Sequence, residues 1–346
     1  MSVIPGQPEA ISAAWLSEVL GESVTSCRVA ESNAGTTGRA VLEIEQASGG
    51  SLPSRLFVKL PPTDEMQRQF VVSTGMGRRE VLFYQALSRE VPMRVPHCYY
   101  AACDEAGEEY IMLLEHLEDS NCTFFNASTR YSLDYVREVL DSFARLHAAY
   151  WESPRFKEDL AWVEPLMQHE IAVALVQQAL EVHAQSMPKV FREMGELYLG
   201  QADKIHQLWR RGDATLIHGD AHDANLYYND EPGFLDWAIC AQAPGMRDVG
   251  YFLAGTLTPD DQRAHGAELV EYYRAALLTL GAPAHSSEVT WSQYQWHAAY
   301  VWVGSAVTLA MGEEWQPSSY VLPALGRLHE AMETIGTVDA IRAAIE

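Results

Sequence analysis

The sequence predicts an α+β chain of two lobes: a small β-rich lobe over residues 1–116 and a larger helical lobe over residues 117–346. Three observations carry that expectation. Short β-prone runs separated by Gly, Thr and Ser turns fill the first part of the chain. Beyond about residue 120 the apolar spacing becomes mostly helical. One β-rich stretch, residues 216–237, interrupts the helical part and holds the densest set of chemistry-bearing side chains.

In chain order, residues 9–20 read as a short amphipathic helix, and Val24 to Ala30, Ala40 to Gln46 and Arg55 to Leu60 as strands. Asn33-Ala-Gly-Thr-Thr-Gly38 and Ser48-Gly-Gly-Ser51 separate those strands as turns. Residues 64–90 read as helix. His97 to Ala102 and Glu109 to Leu114 read as a hairpin about Asp104-Glu-Ala-Gly107, with Glu115-His-Leu117 joining the lobes. No repeat and no low-complexity linker breaks the chain. The uncharged stretch Ala298 to Gly312 is too short to span a bilayer comfortably and reads as a buried helix.

Composition excludes several classes of function. There are 346 residues, 48% of them hydrophobic, enough for a substantial core. Lys and Arg number 24 against 47 Asp and Glu, a net charge of −23. That argues against nucleic acid or an anionic membrane as partner. The acids are spread along the whole chain, so they read as a solubilising surface rather than as a site for a cationic substrate. Five cysteines without a Cys-x-x-Cys argue against a disulfide framework or a zinc site and fit a reducing cytoplasm. The opening residues lack a basic start and an apolar core, so no secretory signal is expected.

Residues 216–237 read as strand, loop, strand, tight turn, strand. Asp220 and Asn225 lie five apart inside one short polar loop, and a second apolar run delivers Asp236 after the turn Asn229-Asp-Glu-Pro-Gly233. Phosphoryl transfer needs such a trio: a carboxylate to accept a hydroxyl proton, and an amide oxygen and a second carboxylate to hold Mg²⁺. Asp220 is the candidate general base, and Asn225 and Asp236 are the candidate metal ligands. His218 is expected to hold the loop by hydrogen bonds. His222 is open to two readings. His218-x-Asp220-x-His222 has the ligand types of a metallohydrolase loop. The other ten histidines are scattered singly, however, and no further His or Cys pair at ligand spacing supports a zinc site, which leaves His222 as a loop residue near the phosphates or substrate.

Two features of the first lobe bear on a nucleotide. Gly35, Thr36, Thr37 and Gly38 sit between candidate strands, where backbone N–H groups and threonine hydroxyls could approach phosphates. An ordinary hairpin turn has the same composition. Lys59 lies in the apolar run Leu56-Phe-Val-Lys59-Leu60, and an ammonium buried there unpaired would be costly. Either it points to solvent from an edge strand, or it meets phosphates and a carboxylate such as Glu80, 21 residues on. Arg247-Asp248 precede an apolar helical run, which suits Asp248 as an N-cap.

The Asp-x4-Asn spacing matches the catalytic loop of protein kinases, with His-Gly-Asp for His-Arg-Asp and Asp-Trp for Asp-Phe-Gly. His218-Gly-Asp220-x-His222-x-x-Asn225, Leu235-Asp236-Trp237, Arg247-Asp248-Val-Gly-Tyr-Phe-Leu253 and Leu146-His147-Ala-Ala-Tyr-Trp151 resemble the aminoglycoside phosphotransferase superfamily. The closest likeness is to its choline kinase-like and ecdysteroid kinase-like branch, over roughly residues 30 to 280. The resemblance implies a two-lobed protein-kinase-like fold, ATP as co-substrate and Mg²⁺. It implies a Lys59–Glu80 pair, backbone contacts from Glu115 to Leu117 to the adenine edge, and Asp248 as a support of the catalytic loop. Only ten residues separate Asp236 from Arg247, too few for an activation segment and peptide-docking platform, so the acceptor should be a small hydroxylated metabolite. Its pocket is expected from 130–210 and 260–320, where Trp151, Trp162, Trp291, Trp296, Trp302 and Trp315 lie, most of them as core. An aminoglycoside phosphotransferase, a nucleotide-binding protein without turnover and a metal hydrolase are the rival readings.

Overall fold

The first fold-determining element is a five-stranded antiparallel sheet. The chain was studied as a computed structural model that describes residues 3–33, 37–126, 129–166, 170–313 and 315–346. Ser12 caps helix α1 (Ala13–Leu20) by accepting from the Trp15 N–H, and Gly21, at φ 71°, ends it. Strands β1 (Val24–Asn33), β2 (Gly38–Gln46) and β3 (Arg55–Leu60) follow. Helix α2 (Glu65–Thr74) stops at Gly75 in the left-handed region, where its N–H reaches the carbonyls of Val71 and Val72, and α3 (Met76–Ala86) starts anew. The single helix expected over 64–90 is therefore two, because a glycine at φ 67° breaks the ladder. Strands β4 (Cys98–Cys103) and β5 (Tyr110–Glu115) complete the sheet in the order β1-β2-β3-β5-β4. Its inner face packs Leu42, Ile44, Leu56, Val58, Ile111 and Leu113 against Ile11 and Leu16.

The chain divides into two compact units, residues 1–123 with 228–240, and residues 124–227 with 241–346. A single cut at 116/117 misses the return of 228–240 to the first unit. That return has local causes. Phe234 N–H donates to the Arg94 carbonyl, the Trp237 ring stacks on Phe83 at 4.0 Å, and Arg79 Nη1 donates to the Ala238 carbonyl. Two of these three anchors stand on α3, so the segment carrying Asp236 is fixed to the helix carrying Glu80.

The second unit is mostly helical: α4 (Leu133–Ala149), α5 (Glu170–His183), α6 (Lys189–Leu208), α7 (Met246–Thr256), α8 (Pro259–Thr279), α9 (Ser287–Met311), α10 (Ser318–Ile335) and α11 (Thr337–Ile345). The uncharged stretch from Ala298 lies within α9, whose Trp302 and Ala306 are fully buried. Thr215–Ile217 and Ala241–Ala243 pair antiparallel, Ile217 opposite Ala241, and bracket the polar loop. The strands Leu226–Asn229 and Glu231–Phe234 turn at Asp230 alone (φ 57°), tighter than the expected five-residue turn. Among the described residues no helix is long and apolar enough to cross a membrane.

Gly77 shows how closely α3 lies on the sheet. A Cβ there would sit 2.2 Å from Cε1 of Tyr110, a ring only 1% exposed in β5. Gly77→Ala should cost about 1–3 kcal/mol, the usual range for overpacking a filled site. Gly326→Ala in α10, with nothing within 4 Å of the added methyl, should instead stabilise by a few tenths to about 1 kcal/mol. Urea unfolding midpoints of the two variants should move in opposite directions, and equal shifts would contradict the close approach.

Candidate active site

Lys59 is not on an edge. Strand β3 lies between β2 and β5, with Lys59 opposite Arg39 on one side and Met112 on the other, and the side chain is almost wholly buried. Its Nζ donates to Glu80 Oε2 at 2.5 Å and to Asp236 Oδ1 at 3.1 Å. The first unit thus brings together three of the sequence-predicted residues, from a central strand, a helix and the 228–240 segment. Burial pulls the Lys59 ammonium down, but the carboxylates of Asp236 and Glu80 outweigh it and hold the group above its ordinary range. Burial pushes Glu80 up, Lys59 opposes this, and the Asp236 charge adds to the rise, leaving Glu80 at about 7. Glu80 Oε1 has no hydrogen-bond partner among the described residues. One cation thus faces two buried or half-buried carboxylates. Arg39 adds a second positive charge 4.0 Å from Asp236 Oδ2. Asp236 itself sits at φ 64°, ψ 67°, a conformation uncommon for a residue with a Cβ and one that the surrounding contacts must hold.

The turn between β1 and β2 is described only in part. Gly35 and Thr36 lie outside the described residues. Thr37 is buried, and its Oγ1 has no hydrogen-bond partner among them. Gly38 pairs with Leu60, where a Cβ would come within 2.9 Å of the Pro61 carbonyl. At the end of β5 the Glu115 carboxylate is already spent. It accepts two bonds of 2.7 Å from Arg94 Nη2, one from the Ser120 hydroxyl and one from the His97 N–H. The Glu115 carboxylate is thus not available to a ligand, and the expectation for this segment rests on its backbone groups.

In the second unit the loop after Thr215–Ile217 hangs on one carboxylate. Asp248 is fully buried on α7. Its Oδ2 accepts from the His218 N–H at 2.7 Å and its Oδ1 from the Gly219 N–H at 2.8 Å. The N-cap expectation for Asp248 is corrected: Gly245 precedes the helix, and the carboxylate turns away from its own helix to the loop. Two successive N–H groups can face one carboxylate because Gly219 adopts φ 87°. His147 Nε2 stands 3.2 Å from Asp248 Oδ2, and its Nδ1 pairs with the Tyr273 hydroxyl at 2.7 Å. With the proton on Nε2 facing the carboxylate, Nδ1 accepts from the phenol.

Asp220 sits at the tip of this support. Its N–H donates to His218 Nδ1, and Asn225 Nδ2 donates to its carbonyl at 3.0 Å and to Oδ2 at 3.1 Å. His222 Nδ1 accepts from the Ala224 N–H, and Nε2 lies 3.6 Å from Asp220 Oδ2. Burial pushes the Asp220 carboxyl up, but His222, by charge and hydrogen bond, and a hydrogen bond from Tyr251 prevail and hold it at about 2. Such a group stays ionised. It can orient a hydroxyl and take its proton late, when the oxygen has become strongly acidic. Among the described residues no three His, Cys, Asp or Glu groups gather in a way that could hold a metal, so the metallohydrolase ligand set is not assembled around His222. Sequence reading assigned no role to Tyr251, His147 or Tyr273. The four-residue spacing of Arg247 and Tyr251, both on α7, was the available signal for the first.

The raised Glu80 carboxyl makes a pH prediction. Its value rises from 4.5 to about 7 on folding, so between those pH values the folded chain keeps a proton that the unfolded chain releases. The contribution is full below pH 4.5 and is lost as pH rises through about 7. Unfolding free energies of wild type minus Glu80→Gln should fall steadily across that window, and a difference constant with pH would remove the raised carboxyl.

Comparison with known proteins gives the family and the fold. The model of the ecdysteroid kinase-like family matches residues 31–282, more than half of the chain. No curated protein matches the chain in sequence. Among solved structures, it is similar to a protein of Ralstonia eutropha JMP134 provisionally described as an aminoglycoside phosphotransferase. That match has TM-score 0.57 and 14% identity, and covers 94% of this chain and 97% of the other. It is also similar to the GDP complex of aminoglycoside 2′-phosphotransferase-IIIa (0.54, 12%, covering 92% and 96%). A third is choline kinase of Cryptosporidium parvum Iowa II (0.52, 12%, covering 92% and 91%). At these identities the structures establish the fold, that of protein-kinase-like phosphotransferases. On the match over residues 31–282, the chain belongs to the ecdysteroid kinase-like family, one of the kinase-like families of small-molecule phosphotransferases.

Proposed function

We propose that the protein is a small-molecule kinase that transfers the γ-phosphate of ATP to a hydroxyl of a metabolite, with Mg²⁺. The observation that carries this reading is Lys59, a buried ammonium in a central strand bonded to both Glu80 and Asp236. A merely structural ion pair needs one carboxylate. The second carboxylate, Asp236, is half-buried, held in a strained conformation and also faced by Arg39 at 4.0 Å, and in this reading it takes a further cation. Hard oxygen donors suit Mg²⁺. Asp236 and Asn225 would hold it. Both amide bonds of Asn225 go to Asp220, and its Oδ1 has no hydrogen bond among the described residues. When bound, the ion neutralises charge on the phosphate oxygens.

The chain's own groups then divide the work. Lys59 faces the nucleotide phosphates with Glu80 positioning it, and the unpartnered Thr37 hydroxyl is a further donor. Gly35, Thr36 and Gly38 belong to the same turn in this reading, and backbone groups of Glu115 to Leu117 meet the adenine edge. Asp220 orients the acceptor hydroxyl and takes its proton. His218 and Asp248 hold the loop, and His222 keeps Asp220 ionised. Five free thiols fit a reducing, cytoplasmic setting, and the charge of −23 fits neither nucleic acid nor an anionic membrane as partner. An aminoglycoside is the alternative acceptor, supported by structures of this fold with kanamycin and gentamicin.

Two variants separate binding from chemistry. Asp220→Asn keeps shape but loses the proton acceptor, so it should bind Mg-ATP as wild type does while phosphate release from ATP slows by about 10²-fold or more. Undiminished transfer would remove Asp220 from the reaction. Asp236→Ala should weaken ATP binding in calorimetry and make the residual binding insensitive to Mg²⁺. An unchanged Mg²⁺ dependence would refute the metal assignment.

A further inference from the structure

Arg247 presents a problem that the catalytic reading leaves unsolved. It is 3% exposed, its Nε has no hydrogen-bond partner, and it makes no ion pair among the described residues. Its sequence neighbour Asp248 has committed its carboxylate to His218, Gly219 and His147. What Arg247 has instead is aromatic. Its guanidinium lies 4.0 Å from the centre of the Tyr300 ring and 5.6 Å from that of Trp209. Ring faces compensate a buried cation only in part.

These three side chains line one cavity of about 260 Å³ inside the second unit. Arg210 lines it too, as an exposed residue, and Pro165, Leu166, Ala243 and Pro244 supply apolar wall. None of the lining residues is Asp or Glu. In a chain with twice as many acids as bases, two arginines meeting at a cavity without an acid is a marked local reversal of charge. Burial and the neighbouring Arg210 both act to lower Arg247, whose charge is not fully compensated by the protein.

We infer that this cavity is a binding site for a small organic anion, a carboxylate carried on a flat, apolar body. Arg247 meets the carboxylate from the buried side with its guanidinium fork, and Arg210 draws the anion in. Tyr300 and Trp209 give the flat body its surface. The cavity is at the small end of ligand sites, which run from roughly 300 Å³, so the ligand is of single-ring size. The inference stands on the cavity alone and holds whether or not the protein transfers phosphate.

The test uses the full-length protein without nucleotide and benzoate as the probe, with benzamide, benzylamine and inorganic phosphate as controls, by calorimetry or ligand-observed NMR. Benzoate should bind at millimolar concentration or below, about tenfold or more tighter than neutral benzamide or cationic benzylamine, because only the anion completes the guanidinium. It should also bind tighter than phosphate, which has no flat body. Arg247→Gln should lower benzoate affinity by about tenfold or more. Because that variant removes a buried group and could fail to fold, Arg210→Gln at an exposed position provides the second measurement and should lower affinity several-fold with the far-UV spectrum unchanged. Failure of benzoate to bind, benzamide binding equally well, phosphate binding as tightly, or Arg210→Gln leaving the affinity untouched would each overturn the inference.

Discussion

The second unit depends on one buried carboxylate. Asp248 is fully enclosed, and each of its oxygens is committed: Oδ1 to the Gly219 N–H, Oδ2 to the His218 N–H and to His147. N–H bonds to a carboxylate are of the stronger, charge-assisted kind. From this follow the left-handed turn at Gly219, the placing of His218 against the Asp220 N–H, and the orientation of the Asp220 side chain. The hold extends through His147 to Tyr273 and, by the Thr215 hydroxyl on the His147 carbonyl, into the strand that feeds the loop. Gly245 belongs to the same arrangement, since a Cβ there would lie 2.6 Å from both His147 Nδ1 and the Tyr273 hydroxyl.

The first unit solves the opposite problem. There the central group is a cation, met by two carboxylates, with Arg39 near the second. Desolvating an ion costs several kcal/mol, so Lys59 would be untenable without Glu80. Burial, with the Asp236 charge adding to it, outweighs Lys59 at Glu80, the more deeply buried carboxyl, which moves towards neutrality. The contrast with Asp220 is instructive. Both are carboxyls raised by burial, yet Asp220 ends at about 2 and Glu80 at about 7. The difference lies in the company: His222 and Tyr251 donate to Asp220, whereas Glu80 shares a single ammonium with a second acid.

Seen together, the buried charges fall into three groups by how far the protein itself neutralises them. Asp248 is satisfied completely and serves structure. The Lys59 cluster sets two carboxylates against a buried ammonium and the more exposed Arg39, and Arg247 faces aromatic rings in place of an acid. Imbalance of this kind is costly to stability and persists where something outside the chain completes it. The two clusters differ in surroundings: oxygen donors about the first, aromatic faces about the second. In the two proposed readings they would select different ligands, a cation with phosphates in one case and a flat anion in the other.

The sequence by itself determined much of this protein. Strands Val24–Asn33, Gly38–Gln46 and Arg55–Leu60 announce themselves by β-prone runs between glycine turns, and the polar loop with Asp220, Asn225 and Asp236 by spacing, because local chain geometry and short motifs are written in adjacent residues. Limits of single elements were less legible: Gly75 divides a helix only because its backbone adopts φ 67°. What tertiary structure alone decided are the partners of charged groups. Lys59 read equally as an edge residue or as a buried one until β3 was flanked on both sides. Asp248 read as a helix cap, and only folding turned it to His218 and Gly219, thirty and twenty-nine residues away in the chain. The return of 228–240 to the first unit, and the meeting of Arg247 with Tyr300 and Trp209, have no sequence signature. The reason is physical: a charge carries the same letter whether it is solvated or buried, and its energy is set by neighbours that come from distant parts of the chain.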